Sequence, residues 1–113
     1  MGPTPRYRQL LTDEFRRYAD EWRGALSAGC ADVLVIDPAA DQFLLVETGW
    51  RDGNRVRHTV LHAHLTAGKV WIEEDGTEEG LAVRLERAGV PKHDIVLAFH
   101  PPELRHLTDY AAA

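Results

Sequence analysis

RHTVLHAHLTAGKVWIEEDGTEEGLAVRLERAG, residues Arg57 to Gly89, decides the fold. Apolar and polar residues alternate from about Arg55 to Thr66, the period of a half-buried strand. Ala67-Gly68 supplies a tight turn, and Lys69 to Glu74 alternates again. The pair predicts an antiparallel hairpin. Asp75-Gly76-Thr77-Glu78 then has the spacing of a capping box, with Asp75 as N-cap and Glu78 at the third helical position. Glu78 and Glu79 fall in the first turn, where the helix dipole favours carboxylates. Leu81, Ala82, Leu85 and Ala88 form one apolar helical face, and Gly89 provides a left-handed exit.

Upstream, Asp32 to Asp37 (DVLVID) and Phe43 to Thr48 (FLLVET) flank Pro38-Ala39-Ala40-Asp41, a second hairpin signal with a longer loop. Arg51-Asp52-Gly53-Asn54 joins it to the Arg55 strand through a turn that favours positive φ. Four strands linked this briefly make an antiparallel meander. Before them, Tyr7, Leu11, Phe15, Tyr18, Trp22 and Leu26 recur at helical spacing, so Pro5 to Ser27 reads as an amphipathic helix. Its opposite face carries Asp13, Arg16, Arg17, Asp20 and Arg23. Downstream, Val90 to Asp94 is a loop and Ile95 to Phe99 a strand or buried connector. His100-Pro101-Pro102 opens a last short helix, Glu103 to Leu107. The weakly polar tail from Thr108 to Ala113 is expected to dock on the body. The expected architecture is α+β: one domain over residues 1–113, with an N-terminal helix, a four-stranded antiparallel meander and C-terminal helices.

The chain has 113 residues, 44% apolar and 27% charged, which suits one core. No apolar run approaches the length of a membrane span. The polar N-terminus MGPTPRYRQLL lacks the apolar segment of a secretory signal. The lone Cys30 excludes an internal disulfide and fits a reducing compartment, so a cytoplasmic protein is expected. A net charge of −5 argues against an autonomous nucleic-acid binder. Eleven of thirteen basic residues are Arg, a bias that GC-rich codon usage explains more readily than a need for bidentate pairing.

His62 and His64, two apart on a strand, point to one face, and strict alternation adds Val56, His58 and Val60 to it. Such a pair could serve acid–base chemistry near neutral pH. It supplies only two metal ligands, and no third has a recognisable spacing, so neither a metal nor a cofactor is expected. Glu73, Glu74, Asp75, Glu78 and Glu79 form an acidic patch that suits helix capping or a basic partner. His100 is held extended by Pro101. His62, His64, Glu74 and His100 are therefore the catalytic candidates, although spacing assembles no nucleophile–base pair. Walker, Rossmann and nucleophile-elbow signatures are absent. Trp71 points away from Val70 and Ile72. A sheet with helices on one face leaves the other open, and Trp50, Trp71, Arg55 and Arg57 are the residue types that anchor partners there.

The segments Gly49-Trp50-Arg51-Asp52-Gly53, His62-Ala63-His64, Gly68 to Gly80 and Gly89 to His100, with the small-residue tail, together resemble the XisI family. Its members are controlling factors for excision of a DNA element in nitrogen-fixing cyanobacteria. The resemblance spans most of the chain, and DGTEEG with GVPKHDIVLAFH carries it most specifically. It implies a small subunit that binds and stabilises or regulates a larger, nuclease-fold XisH-like partner. It implies no catalytic residue and no direct contact with nucleic acid. His64 stands where the family pattern has an acidic residue, and Glu73-Glu74 where glutamine is common. These departures, with the Arg- and Ala-rich composition, open a second expectation. The chain would be one subunit of a heteromeric biosynthetic enzyme, aziridine closure by sulfate loss being an example, with its small-molecule site at the subunit interface. A homo-oligomer acting alone ranks third.

Overall fold

A computed structural model describes residues 2–26 and 28–113. Helix α1 (Thr4–Arg23) leads into a five-stranded sheet of β1 (Cys30–Asp37), β2 (Gln42–Arg51), β3 (Asn54–Thr66), β4 (Lys69–Asp75) and β5 (Ile95–Leu97). Helix α2 (Leu81–Arg87) lies between β4 and β5, and 3-10 turns span Lys92–Asp94 and Pro102–Leu107. The strands lie in chain order. β1 to β4 pair antiparallel as expected, and β5 adds in parallel to β4. The sheet therefore has one strand more than the four-stranded meander, because α2 acts as the crossover that returns the chain to β4's free edge.

Both helices cover one face, α1 over β1 to β3 and α2 over β4. Tyr7, Leu11, Phe15 and Tyr18 of the predicted stripe are buried, and Phe15 meets Phe43 with ring centroids 5.7 Å apart. Burying side chains of this size is worth ~1.5–3 kcal/mol each. The helix stops at Arg23, short of the expected end, and Ser27 lies outside the described residues. Asp52 and Gly53, and likewise Ala67 and Gly68, take positive φ, so both tight hairpin turns are of the type that matches strand twist. Among the described residues, no helix is long and apolar enough to cross a membrane.

The capping box does not form. α2 begins at Leu81, so Glu78 and Glu79 precede the helix rather than occupying its first turn. Asp75 caps at longer range. Its Oδ1 accepts from the Thr77 amide (2.9 Å) and hydroxyl (2.5 Å), and its Oδ2 accepts from the Leu81 amide (2.7 Å). Gly80, at φ 94°, makes the connecting turn, which a side chain at that position would strain. The tail docks as expected: the Ala111 amide donates to the Ile95 carbonyl (2.9 Å), and Lys69 Nζ donates to the Ala113 carbonyl (2.5 Å).

Candidate functional site

The helix-free face of the sheet is set by the even-numbered residues of β2, since Phe43, Leu45 and Glu47 turn inward and are buried. Register places His64 opposite Gln42, His62 opposite Leu44, Thr59 opposite Val46, Arg57 opposite Thr48 and Arg55 opposite Trp50. On β1, Val33 and Val35 occupy this face and are each 44% exposed. On β4, Trp71 pairs with His64 and Glu74 with His62. The face is thus apolar over β1 and β2, basic toward the β2–β3 hairpin tip, and acidic along β4.

Two bulges produce this pattern. One leaves Val60 as an extra residue between the Leu45–Leu61 and Val46–Thr59 pairs. Val60 and Leu61 are both buried, so the parity of β3 reverses there. Strict alternation put Val56, His58 and Val60 beside His62 and His64; the bulge moves all three to the helix side. His58 there donates from Nε2 to Oε1 of buried Glu47 (2.7 Å), which also accepts from Arg51 (3.2 Å). The same reversal keeps Arg55 and Arg57 on the open face. The second bulge inserts Glu73 between the Ala63–Ile72 and His62–Glu74 pairs, so both glutamates reach the open face.

The two histidines differ in what holds them. His64 stacks on Trp71 (centroids 6.0 Å apart, planes within 11°), donates from Nε2 to Glu73 (2.8 Å), and accepts at Nδ1 from the Thr66 hydroxyl (2.7 Å). Both of its nitrogens are engaged. His62 donates from Nε2 to the Gln42 side-chain carbonyl (2.9 Å), which leaves its Nδ1 lone pair without a hydrogen bond among the described residues. Burial lowers the His62 pKa below its ordinary value, and the nearby glutamates oppose the shift only in part. His62 is accordingly a neutral imidazole of fixed tautomer. Glu74, across from it, is exposed and makes no hydrogen bond or ion pair among the described residues.

The sequence reading did not single out Gln42 and Thr66, and it placed Glu73 only in the acidic patch, without its bond to His64; these are the groups that orient the histidines. Gln42 lies in a loop-flanked strand start and Glu73 is the bulge residue, so neither has a spacing signal. His100 makes no contact with the His62 group; its ring packs on Phe99 (4.7 Å) and its carbonyl accepts from Arg105 (3.0 Å). Arg105 in turn lies over the Trp71 ring (5.6 Å), closing the β4–β5 end of the face. Trp50, 58% exposed, sits at the far end with Arg55 over its ring (5.6 Å). No three His, Cys, Asp or Glu side chains gather as metal ligands among the described residues.

On the helix side, two adjoining cavities of about 500 and 530 Å³ share Glu21, Glu79 and Arg84. Arg84 is already committed there. It lies 3.9 Å over the Tyr18 ring and pairs with Glu21 (2.6 Å), so this groove is a braced helix contact.

The XisI protein family model matches residues 1–112. The chain is similar to a XisI-like protein of Anabaena variabilis, whose 1.30 Å crystal structure superposes with a TM-score of 0.88 at 29% identity, over 96% of this chain and 97% of that one. It is also similar to a second protein of that organism, described as fdxN element excision controlling factor XisI. There the TM-score is 0.84 and the identity 37%, over 95% of this chain and 96% of that one. A comparison with curated proteins found no match.

Proposed function

The chain belongs to the XisI family, and from that premise we propose that it is a small accessory subunit that binds and stabilises or regulates a larger XisH-like partner in DNA-element excision. One observation carries the reading: the sheet face opposite α1 and α2 presents exposed Val33 and Val35 in line with Trp71 and the histidines, with Arg105 of the last 3-10 turn reaching over its β4–β5 end. Exposed aliphatic side chains on a regular, rigid face are what a protein interface buries. Trp50 and Trp71, with Arg55 and Arg57, are its anchors. The chain's net charge of −5 leaves contact with DNA to the larger partner.

The test is co-expression with the product of the neighbouring gene, followed by mass measurement in solution. A stable heteromer is expected, and Val35→Glu, a surface change that leaves the core intact, should abolish it. A homo-oligomer that ignores the neighbour overturns the reading.

The second reading is a subunit of a heteromeric biosynthetic enzyme. The free Nδ1 of His62 favours it, because an imidazole lone pair beside a carboxylate could take a proton from an amine in a shared cleft. His64 has no nitrogen left for that role, and His100 lies apart. Unchanged turnover of a reconstituted pair carrying His62→Ala would remove this reading.

A further inference from the structure

The open face holds two hydrogen-bond acceptors side by side with no donor to either among the described residues. His62 Nδ1 carries a bare lone pair because the ring proton sits on Nε2, which donates to the Gln42 side-chain carbonyl. The Glu74 carboxylate lies directly across the β3–β4 ladder, brought to the same face by the Glu73 bulge. Directly opposed residues on one sheet face sit within reach of a single small group. The neighbouring acceptor, Glu73, is already bound to His64. A carboxylate and a neutral imidazole together match a positively charged donor in both charge and hydrogen-bond sense; an anionic group would be repelled, and a neutral amide could donate to both but would leave the carboxylate's charge uncompensated.

We propose that His62 and Glu74 form a receptor for one cationic side chain, an ammonium or guanidinium, presented by the partner subunit when it docks on the open face. The inference rests on the partner-subunit reading and adds the chemistry of the partner's anchor. Trp71 and the valines of β1 supply apolar contact around the receptor, and the cation sets register on a face that is otherwise flat and unspecific. Neutral His62 is part of the recognition, because a protonated ring would repel the incoming group.

The test uses the co-purified heteromer and the isolated chain. In the heteromer, Glu74→Gln should weaken association by ~10–100-fold and flatten its salt dependence, as expected for loss of one member of a desolvated charged contact. His62→Asn places an amide oxygen where Nδ1 was and should retain most of the affinity. His62→Gln places it where Nε2 was and should lose affinity as Glu74→Gln does. Unchanged thermal unfolding of each variant separates these effects from misfolding. With the isolated chain, methylguanidinium chloride should give saturable NMR shifts at His62, Glu74 and Trp71 that sodium chloride does not. If the heteromer forms and tolerates Glu74→Gln and His62→Gln, the receptor is overturned while the partner reading stands. If Asn and Gln at position 62 behave alike, the Nδ1 assignment is overturned. If the chain pairs face to face with a second copy instead, both readings fall.

Discussion

His62 and His64 are the same residue type, two positions apart on one strand, and their surroundings give them opposite capacities. Four heavy-atom neighbours decide this: Gln42 for His62, and Thr66, Glu73 and Trp71 for His64. Because burial lowers the His62 pKa, the unfolded chain takes up a proton at this position at higher pH than the folded one does. Stability attributable to His62 is therefore fully present above pH ~6.5 and is lost as pH falls through its folded value. In a ring-proton NMR titration His62 should protonate at lower pH than it does in the urea-unfolded chain; titration at or above the ordinary value would contradict the burial argument. Gly49 is a second residue whose neighbours leave no choice. A Cβ there would lie 2.2 Å from the Gly29 carbonyl oxygen and 2.6 Å from Cys30 Cα, with φ at +150°. All of these are backbone atoms of the neighbouring Gly29–Cys30 segment, which cannot yield as a side chain would. Gly49→Ala should cost at least ~2 kcal/mol in urea unfolding, through strain and loss of the Trp50 amide bond to Gly29.

At the level of elements, hydrophobic period located all the long strands and both helices, and it did so because one face of each is buried. Period fails where the backbone departs from regularity. Val60 and Glu73 carry no residue-type signal for a bulge, yet each reverses or doubles a face, and between them they decide which histidines and glutamates meet. Trp50, Trp71, Arg55 and Arg57, proposed above as anchors, were legible as residue types, and their sharing of one face was not, since it depends on the bulge at Val60. The start of α2 was misread for a related reason. Asp75 and Glu78 have capping-box spacing, but Gly76 and Gly80 let the chain remain non-helical until Leu81. The two accounts of this boundary make different predictions. Asp75→Ala removes bonds to Thr77 and Leu81 and should destabilise by ~1–2 kcal/mol. Glu78→Ala, equally harmful in a capping box, should lie within ~0.5 kcal/mol of the parent in the same denaturation assay.

For the whole molecule, the open face works only if the sheet behind it is rigid to its last strand, and β5 has only three residues, Ile95–Leu97. Besides its backbone pairing with β4 and with Ala111, that edge is tied in by long-range side-chain bonds. The Tyr7 hydroxyl of α1 donates to Asp94, just before β5, and the Tyr110 hydroxyl of the tail donates to Glu86 of α2 (2.7 Å). Each phenol joins segments far apart in sequence, so N-terminus, crossover and tail are fastened to one another beneath the face. Burial and the accepting carboxylate push both phenols up to about 12 from the usual 10.0. The sign follows from the folded state holding these protons more tightly than the unfolded chain. The stabilisation is complete below pH 10 and is lost as pH rises from 10 toward 12. Replacing both tyrosines by Phe should lower stability at pH 8, by ~1.5–3 kcal/mol for each bond to a charged acceptor. It should also make the decline between pH 10 and 12 shallower. Some decline will persist, because burial also raises the third tyrosine, Tyr18. Thermal unfolding of the parent and double variant across that window checks both parts. Superposable curves, with neither an offset nor a change in slope, would mean that the rings contribute packing alone and that the β5 edge is held by other contacts.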